Sequence, residues 1–321
     1  MMKGDSMISI ITPVYNEEEN INCFYDAVTA VMKQVGMDYE LIYVNDGSRD
    51  GTEKEISRLA AADPHVRAVS LARNFGHQIA LTCGMDFSSG DAIITMDGDM
   101  QHPPALIPAL IARWQEGYDI VQTVRETTEN ASLFKRFTSA AYYKLMNAIS
   151  ATPVVPGGSD FRLMDRKAIS VFRRFREHSR FIRGIVGGLG FRQTTLSFKA
   201  PARHAGTSKF SLRKMLHLAM DGIITNSTVP LRMTFYIGFL GAFAGLLMII
   251  YVCYCHIAGI TVPGWSTTVI LLAIFGSVNL MALGILGEYI GRIFEETKQR
   301  PLYWLASDSK ETEPDRSFTG R

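Results

Sequence analysis

Two carboxylates stand one residue apart in Asp97-Gly98-Asp99, directly after the apolar run of residues 93–96. Along an extended chain, that spacing aims both side chains to one side. Carboxylates held so close repel each other unless a cation joins them. A divalent ion that prefers oxygen ligands, Mg²⁺ or Mn²⁺, relieves the repulsion and can hold a diphosphate at the same time. Surface turns also produce such pairs, so the meaning of this one depends on what the rest of the chain delivers beside it.

Three more polar stretches stand in comparable places. Residues 8–12 run into Thr12-Pro13-Val14-Tyr15-Asn16-Glu17-Glu18, and residues 41–44 run into Asn45-Asp46-Gly47-Ser48-Arg49-Asp50-Gly51-Thr52. Residues 66–71 precede Arg73-Asn74-Phe75-Gly76-His77, and residues 92–96 precede Asp97-Gly98-Asp99-Met100-Gln101-His102-Pro103-Pro104. Each apolar, β-branched run reads as a strand. Between them, Ile21, Phe24, Val28, Val31 and Val35 recur at helical spacing, Ile56 and Leu59 mark a shorter helix, and residues 79–87 fit a third. Strands alternating with helices imply an α/β fold with a mostly parallel sheet covered on both faces. Ligands in such folds sit beyond the C-terminal strand ends, where all four polar stretches fall.

The chain has 321 residues, of which 47 % are hydrophobic, and its mean hydropathy is +0.08. The apolar excess lies late in the sequence. No residue is charged from 233 to 255 or from 257 to 287. A bilayer crossing needs about 20 apolar residues, so each run is long enough. Gly259, Pro263 and Gly264 supply a turn, and the pair reads as a membrane hairpin. Lys209, Arg213, Lys214 and Arg232 precede the first run, Arg292, Lys298 and Arg300 follow the second, and the turn has no Lys or Arg. The positive-inside rule places both flanks in the cytoplasm. Segments 133–149 and 212–224 mix apolar with basic residues, as helices lying in a membrane interface do.

Other features weigh against alternatives. A net charge of +2 gives no basis for a nucleic-acid partner. Four cysteines, Cys23, Cys83, Cys253 and Cys255, are too scattered for a disulfide framework. The Cys253 and Cys255 pair lies inside an apolar run and has too few companions for a zinc site. No signal peptide is visible at the N-terminus. Gly184, Gly187, Gly188 and Gly190 match no phosphate-binding pattern and read as a flexible or closely packed turn. Gly284, Gly287 and Gly291 form a small-residue series that could pack helices or subunits, which leaves room for a homo-oligomer. Glu288 and Arg292 fit an i, i+4 ion pair, and the tail after Leu305 reads as polar and disordered.

Taken together, the four strand-end motifs resemble family 2 of the inverting glycosyltransferases, with the GT-A nucleotide-binding fold. Asp160-Phe161-Arg162-Leu163-Met164, Gly206-Thr207-Ser208-Lys209-Phe210-Ser211 and the two apolar spans narrow the resemblance to polyprenyl-phosphate glycosyltransferases of the bactoprenol glucosyltransferase type. The similarity covers residues 7–301. It implies that Pro13, Tyr15 and Glu17 border the nucleoside, that Asp46 hydrogen-bonds the base, and that Asp97 and Asp99 meet the metal and the donor diphosphate. It implies that Gln101 approaches the sugar, that Asp160 is the acidic residue near the acceptor, and that Arg203, Ser208 and Lys209 bind the acceptor phosphate. Asp99 and Asp160 are then the catalytic pair. Asn45 departs from the acidic residue more common at its position.

The implied organisation is a catalytic domain over 1–210, an interfacial helix over 211–232, a hairpin over 233–288 and a cytoplasmic tail over 289–321. The implied activity is inverting transfer of a hexose, glucose from UDP-glucose in the leading reading, onto undecaprenyl phosphate at the cytoplasmic face of a bacterial inner membrane. Transfer of 4-deoxy-4-formamido-L-arabinose, or of mannose, to the same kind of lipid is the alternative. A processive polysaccharide synthase is disfavoured, because Arg113-Trp114 lacks a Gln at position 110, where Leu stands. A non-catalytic scaffold is disfavoured because Asp97, Asp99 and Asp160 are all present. An acceptor phosphate is already anionic near neutral pH, so Asp160 has a positioning role open to it; an ion pair with Arg162 is the structural alternative.

The hairpin reading predicts the accessibility of its turn. In a background without native cysteines, a single cysteine near Gly264 should react with an impermeant thiol reagent in intact cells. Labelling of a cysteine near Ser309 instead would reverse the topology.

Overall fold

The computed structural model describes residues 6–126, 155, 157–199, 229–259 and 264–310. Ile8–Val14 forms strand β1, and all seven of its residues are buried, as expected of a central strand covered on both faces. It pairs in parallel with β2 (Tyr39–Asn45) and β4 (Ala92–Thr95), and β2 pairs in parallel with β3 (Val66–Leu71). The crossovers are helices α1 (Ile21–Val35), α2 (Thr52–Ala62) and α3 (His77–Phe87). In α1 the residues Ile21, Phe24 and Val28 of the expected stripe are buried together with Met32, while Val31 and Val35 pack partly buried against the same core.

A turn of 3₁₀ helix, Pro104–Leu106, leads into α4 (Ile107–Gln115). There follow β5 (Ile120–Arg125), β6 (Gly158–Asp165), α5 (Arg166–Phe172), α6 (Ile182–Gly188), β7 (Gln193–Phe198) and β8 (Leu305–Asp308). The strand order is β7-β5-β6-β4-β1-β2-β3-β8. β6 runs antiparallel between β4 and β5, and β7 is parallel to β5. One core lies on the face that carries Phe24, Leu110 and Trp114. The other carries Leu81, Phe172 and Val186. At the strand ends away from the polar motifs, Glu40 accepts from Ser9 Oγ (2.5 Å) and from the Ser89 amide (2.6 Å). Burial opposes its ionisation, but these donors outweigh burial and lower its pKa.

Two expectations fail. The glycine-rich stretch is no turn: Ile182–Gly188 is helical, with Ile182, Gly184, Ile185 and Val186 buried, because the apolar residues between the glycines reach the second core. Among these glycines only Gly190, beyond the helix, has a positive φ of 73°. The segment after Leu305 is ordered through residue 310, because an open edge of β3 offers it backbone partners. Arg67 then grips Asp308 with two nitrogens, at 3.0 and 2.5 Å, and the Asp308 side chain is wholly buried.

The described residues fall into two compact units, with the chain from Arg300 onward joined to the sheet unit. The other unit contains α7 (Val229–Ile257) and α8 (Trp265–Thr297). Leu231–Cys255 and Ile270–Thr297 are both long and apolar enough to cross a membrane. The second helix starts at Trp265, directly after Gly264 of the expected turn. The helices meet where a Cβ on Gly241 would lie 3.3 Å from Phe275. A Cβ on Gly284, Gly287 or Gly291 would meet nothing within 4 Å, so that series does not serve the α7–α8 contact. Glu288 and Arg292 do pair, at 3.1 Å. The basic segments at 133–149 and 212–224, and Arg203, Ser208 and Lys209, lie outside the described residues.

The Arg67–Asp308 pair makes a stability prediction. Asp308→Ala leaves Arg67 facing a buried gap, a loss of about 3–5 kcal/mol for a broken buried pair. Thermal unfolding of the purified protein should show a clearly lower midpoint; an unchanged midpoint would mean that the Arg67–Asp308 pair contributes nothing to stability.

Candidate active site

The C-terminal ends of β1 to β4 enclose a cleft of about 590 Å³. Pro13, Tyr15 and Glu17 line it after β1, Asp46 after β2, Asn74, Gly76 and His77 after β3, and Asp97, Gly98 and Asp99 after β4. Local hydrogen bonds hold these turns together. The Asn16 amide donates to Ser48 Oγ and the Arg49 amide to Asn16 Oδ1, both at 2.9 Å. Asn45 Oδ1 accepts from the Ser48 amide at 2.9 Å while its Nδ2 donates to Ser70 Oγ at 3.4 Å, a donor role that an acidic residue would lack. Gly47 has φ 67°, and a Cβ there would lie 2.5 Å from the backbone of Arg73, so only glycine lets these two turns approach.

Asp46 lines the cleft, but each of its oxygens is already engaged. Oδ1 accepts from the Phe75 amide at 2.7 Å and Oδ2 from the Gly76 amide at 2.9 Å. Burial raises its pKa, with the two amides acting against that shift. The base contact expected of Asp46 would use the lone pairs that remain.

Asp97 and Asp99 reach the same cleft through a turn, since β4 ends at Thr95 and strand alternation stops there. Gly98 fits under β1, where a Cβ would come within 3.2 Å of Thr12 Oγ1. Met100 takes a left-handed φ of 61°, and the Gln101 amide closes onto Asp99 Oδ1 at 3.1 Å. Gln101 itself is not among the lining residues. The turn is anchored by His102, whose Nδ1 accepts from the Asp97 amide at 2.8 Å and whose Nε2 faces Ser159 Oγ at 2.6 Å. Burial pushes the His102 pKa down against the pull of Asp97, Asp99 and Asp160. The ring is therefore a neutral strut, donating through Nε2, and is not placed for proton transfer.

Asp97 Oδ1 is buried with no hydrogen-bond partner among the described residues, which fits a carboxylate prepared for an ion. No cluster of three or more His, Cys, Asp or Glu suited to a metal occurs among them. An ion held by Asp97 and Asp99 would complete its shell from diphosphate oxygens and water, the habit of Mg²⁺ in phosphate chemistry.

Asp160 sits on β6, one step deeper. Its Oδ1 accepts from Arg162 Nη2 at 2.7 Å and Arg183 Nε at 3.2 Å, and its Oδ2 from Arg183 Nη2 at 3.1 Å and Gln78 Nε2 at 3.4 Å. His77 Nε2 stands between the two acidic centres, 3.4 Å from Asp97 Oδ1 and 3.8 Å from Asp160 Oδ2. Burial alone would raise the pKa of Asp160, but Arg162 and Arg183 outweigh it and hold the carboxyl well below the usual range. A folded pKa below the unfolded one means that this carboxylate stabilises the fold above about pH 4 and stops doing so only in strong acid. Arg162 is fully buried, and its Nε and Nη1 lack partners among the described residues.

The sequence thus located both acidic centres and one of the two arginines. It missed Arg183, which a seven-residue helix delivers, and Gln78, whose Oε1 also accepts from the Ile182 amide at 3.1 Å and so fixes that helix beside Asp160. Neither residue carries a local signal, since both act across long sequence separations.

Known proteins resemble this chain over most of its length. The family model described as Glycosyl transferase family 2 matches residues 9–172. The uncharacterized glycosyltransferase YkcC of Bacillus subtilis (strain 168) is 42 % identical over 296 residues, covering 92 % of each chain. The bactoprenol glucosyl transferase of Shigella phage SfX is 38 % identical over 301 residues, covering 94 % of this chain and 99 % of that one. Among solved structures, mannosyl-3-phosphoglycerate synthase from Rubrobacter xylanophilus is similar at a TM-score of 0.49 and 17 % identity, over 67 % of this chain and 71 % of that one.

The clamp on Asp160 separates a structural charge from a proton acceptor. Asp160→Asn should lower the thermal midpoint as well as activity, because Arg162 is left buried without its counter-ion, at about 3–5 kcal/mol. Lost activity at unchanged stability would instead mark Asp160 as a base with no structural duty.

Proposed function

Since the chain belongs to glycosyl transferase family 2, we propose that it moves a hexose from a nucleotide sugar onto a polyprenyl phosphate at the cytoplasmic face of a bacterial inner membrane. The donor in this reading is UDP-glucose and the acceptor undecaprenyl phosphate. The observation that carries the acceptor class is the Asp160 clamp. A hydroxyl acceptor must lose a proton as it attacks, and the obvious carboxylate for that task is made a weak base by the two guanidiniums that hold it. A phosphate acceptor is already anionic and needs no base. The names of the Shigella relatives favour glucose over the arabinose derivative or mannose.

In this reading Pro13, Tyr15 and Glu17 border the nucleoside, and Asp46 keeps the Phe75–Gly76 amides in the cleft wall. Asp97 and Asp99 are the residues that would hold Mg²⁺ or Mn²⁺, and such an ion would supply charge neutralisation for a departing diphosphate. Asp160, held by the buried Arg162, orients the partly exposed Arg183 toward the anionic reactants, and Gln101 approaches the sugar. Arg203, Ser208 and Lys209 bind the acceptor phosphate through charge-assisted hydrogen bonds. Two apolar helices keep the enzyme where the prenyl tail remains buried.

Purified protein incubated with a panel of radiolabelled nucleotide sugars and undecaprenyl phosphate should yield a lipid-linked sugar on thin-layer plates, with UDP-glucose the best donor. Asp99→Asn should remove most of that transfer while the fold persists. Full transfer by the variant in EDTA would contradict the metal role, and transfer only to a water-soluble sugar would contradict the function.

A further inference from the structure

The cleft wall at residues 72–76 is held from two sides. From within, Asp46 accepts the Phe75 and Gly76 amides. From outside comes the chain that follows α8. The Ala72 amide donates to the Trp304 carbonyl at 2.9 Å, and the Trp304 ring lies 5.6 Å from that of Phe75, tilted by 41°. Trp304 is 47 % exposed, so its ring fills no core. The pairing of β8 with β3 starts only at Leu305 and does not need the indole. The structural consequence of this ring is therefore the position of Phe75.

We propose that Trp304 is a positioning residue for the donor site: its ring holds Phe75 so that the Phe75 and Gly76 amides stay on Asp46 and His77 stays at the cleft. The role in donor binding rests on the nucleotide-sugar reading of the cleft. Without the ring, the wall has more conformations to lose when a nucleotide binds, and ordering them weakens binding. The geometry also makes the chain that follows α8, β8 included, one of the braces of the cleft.

The test uses the full-length protein in detergent, with UDP and then GDP as probes in the presence of Mn²⁺. Trp304→Ala should weaken nucleotide binding by calorimetry about tenfold, ~1.4 kcal/mol. It should raise the KM for the sugar nucleotide while kcat at saturation changes little. Trp304→Phe should restore near-normal affinity. Phe75→Ala should lose at least as much as Trp304→Ala, since its ring also lies under the Arg73 guanidinium and packs on the second core, and the double variant should lose no more than Phe75→Ala alone, because the ring contact is already gone. Hydrogen exchange at residues 75 and 76 should quicken in Trp304→Ala, and Trp304→Leu gives the same readout should the alanine variant fold poorly. Affinity within twofold of the wild type, losses that multiply in the double variant, or unaltered exchange would each overturn the proposal. If the wild type binds neither nucleotide, the reading of the cleft fails, and the exchange result still decides whether Trp304 holds the loop.

Discussion

The ion pair between Asp160 and Arg162 constrains the site more than any other interaction. Both residues lie on β6, the antiparallel strand inserted between β4 and β5, and Arg162 has no exposure to solvent. A buried guanidinium requires a counter-ion, and removing either partner costs more than the pair contributes by being there. Asp160 is thereby committed as an anion. Its second oxygen extends the commitment to Arg183 and Gln78, and through them to the start of α6. A carboxylate so placed can orient cations and cannot readily accept a proton near neutral pH.

A second layer of order comes from loops that brace one another. Asp46 holds the wall after β3, His102 holds the turn after β4, and Asn16 ties the turn after β1 to the turn after β2. Each is a side chain bonded to backbone, so the cleft's shape is set before any ligand arrives. Preorganised polar groups of this kind need little reorganisation when charge develops on a leaving group. His77 faces both acidic centres from the N-terminus of α3, which couples the donor wall to the Asp160 cluster.

Much of this was legible in the sequence because it is local. The strands β1 to β4 are short β-branched runs, and each ends in a polar motif that lines the cleft. Asp97, Asp99 and Asp46 were found that way, although Asp97 and Asp99 converge through a left-handed Met100 turn and not through strand alternation. What escaped was non-local. Arg183 stands 23 positions from Asp160, and the grip of Arg67 on Asp308 spans 241 positions, with no periodicity linking the partners. The four residues of β8 have no strand pattern of their own and form because the edge of β3 is open to them. Gly184, Gly187 and Gly188 hid a helix because glycine is a poor helix former, and burial of Ile185 and Val186 outweighs that preference.

The central claim is that the locked Asp160 carboxylate restricts the enzyme to acceptors that are already anionic. The direct measurement compares polyprenyl phosphate with the corresponding polyprenol, an otherwise equivalent lipid ending in a hydroxyl, as acceptors for the purified enzyme with the same labelled sugar nucleotide. The account predicts transfer to the phosphate and none to the alcohol across the neutral pH range. Transfer to the alcohol at a comparable rate would show that a group in the site takes up the hydroxyl proton, and would contradict it.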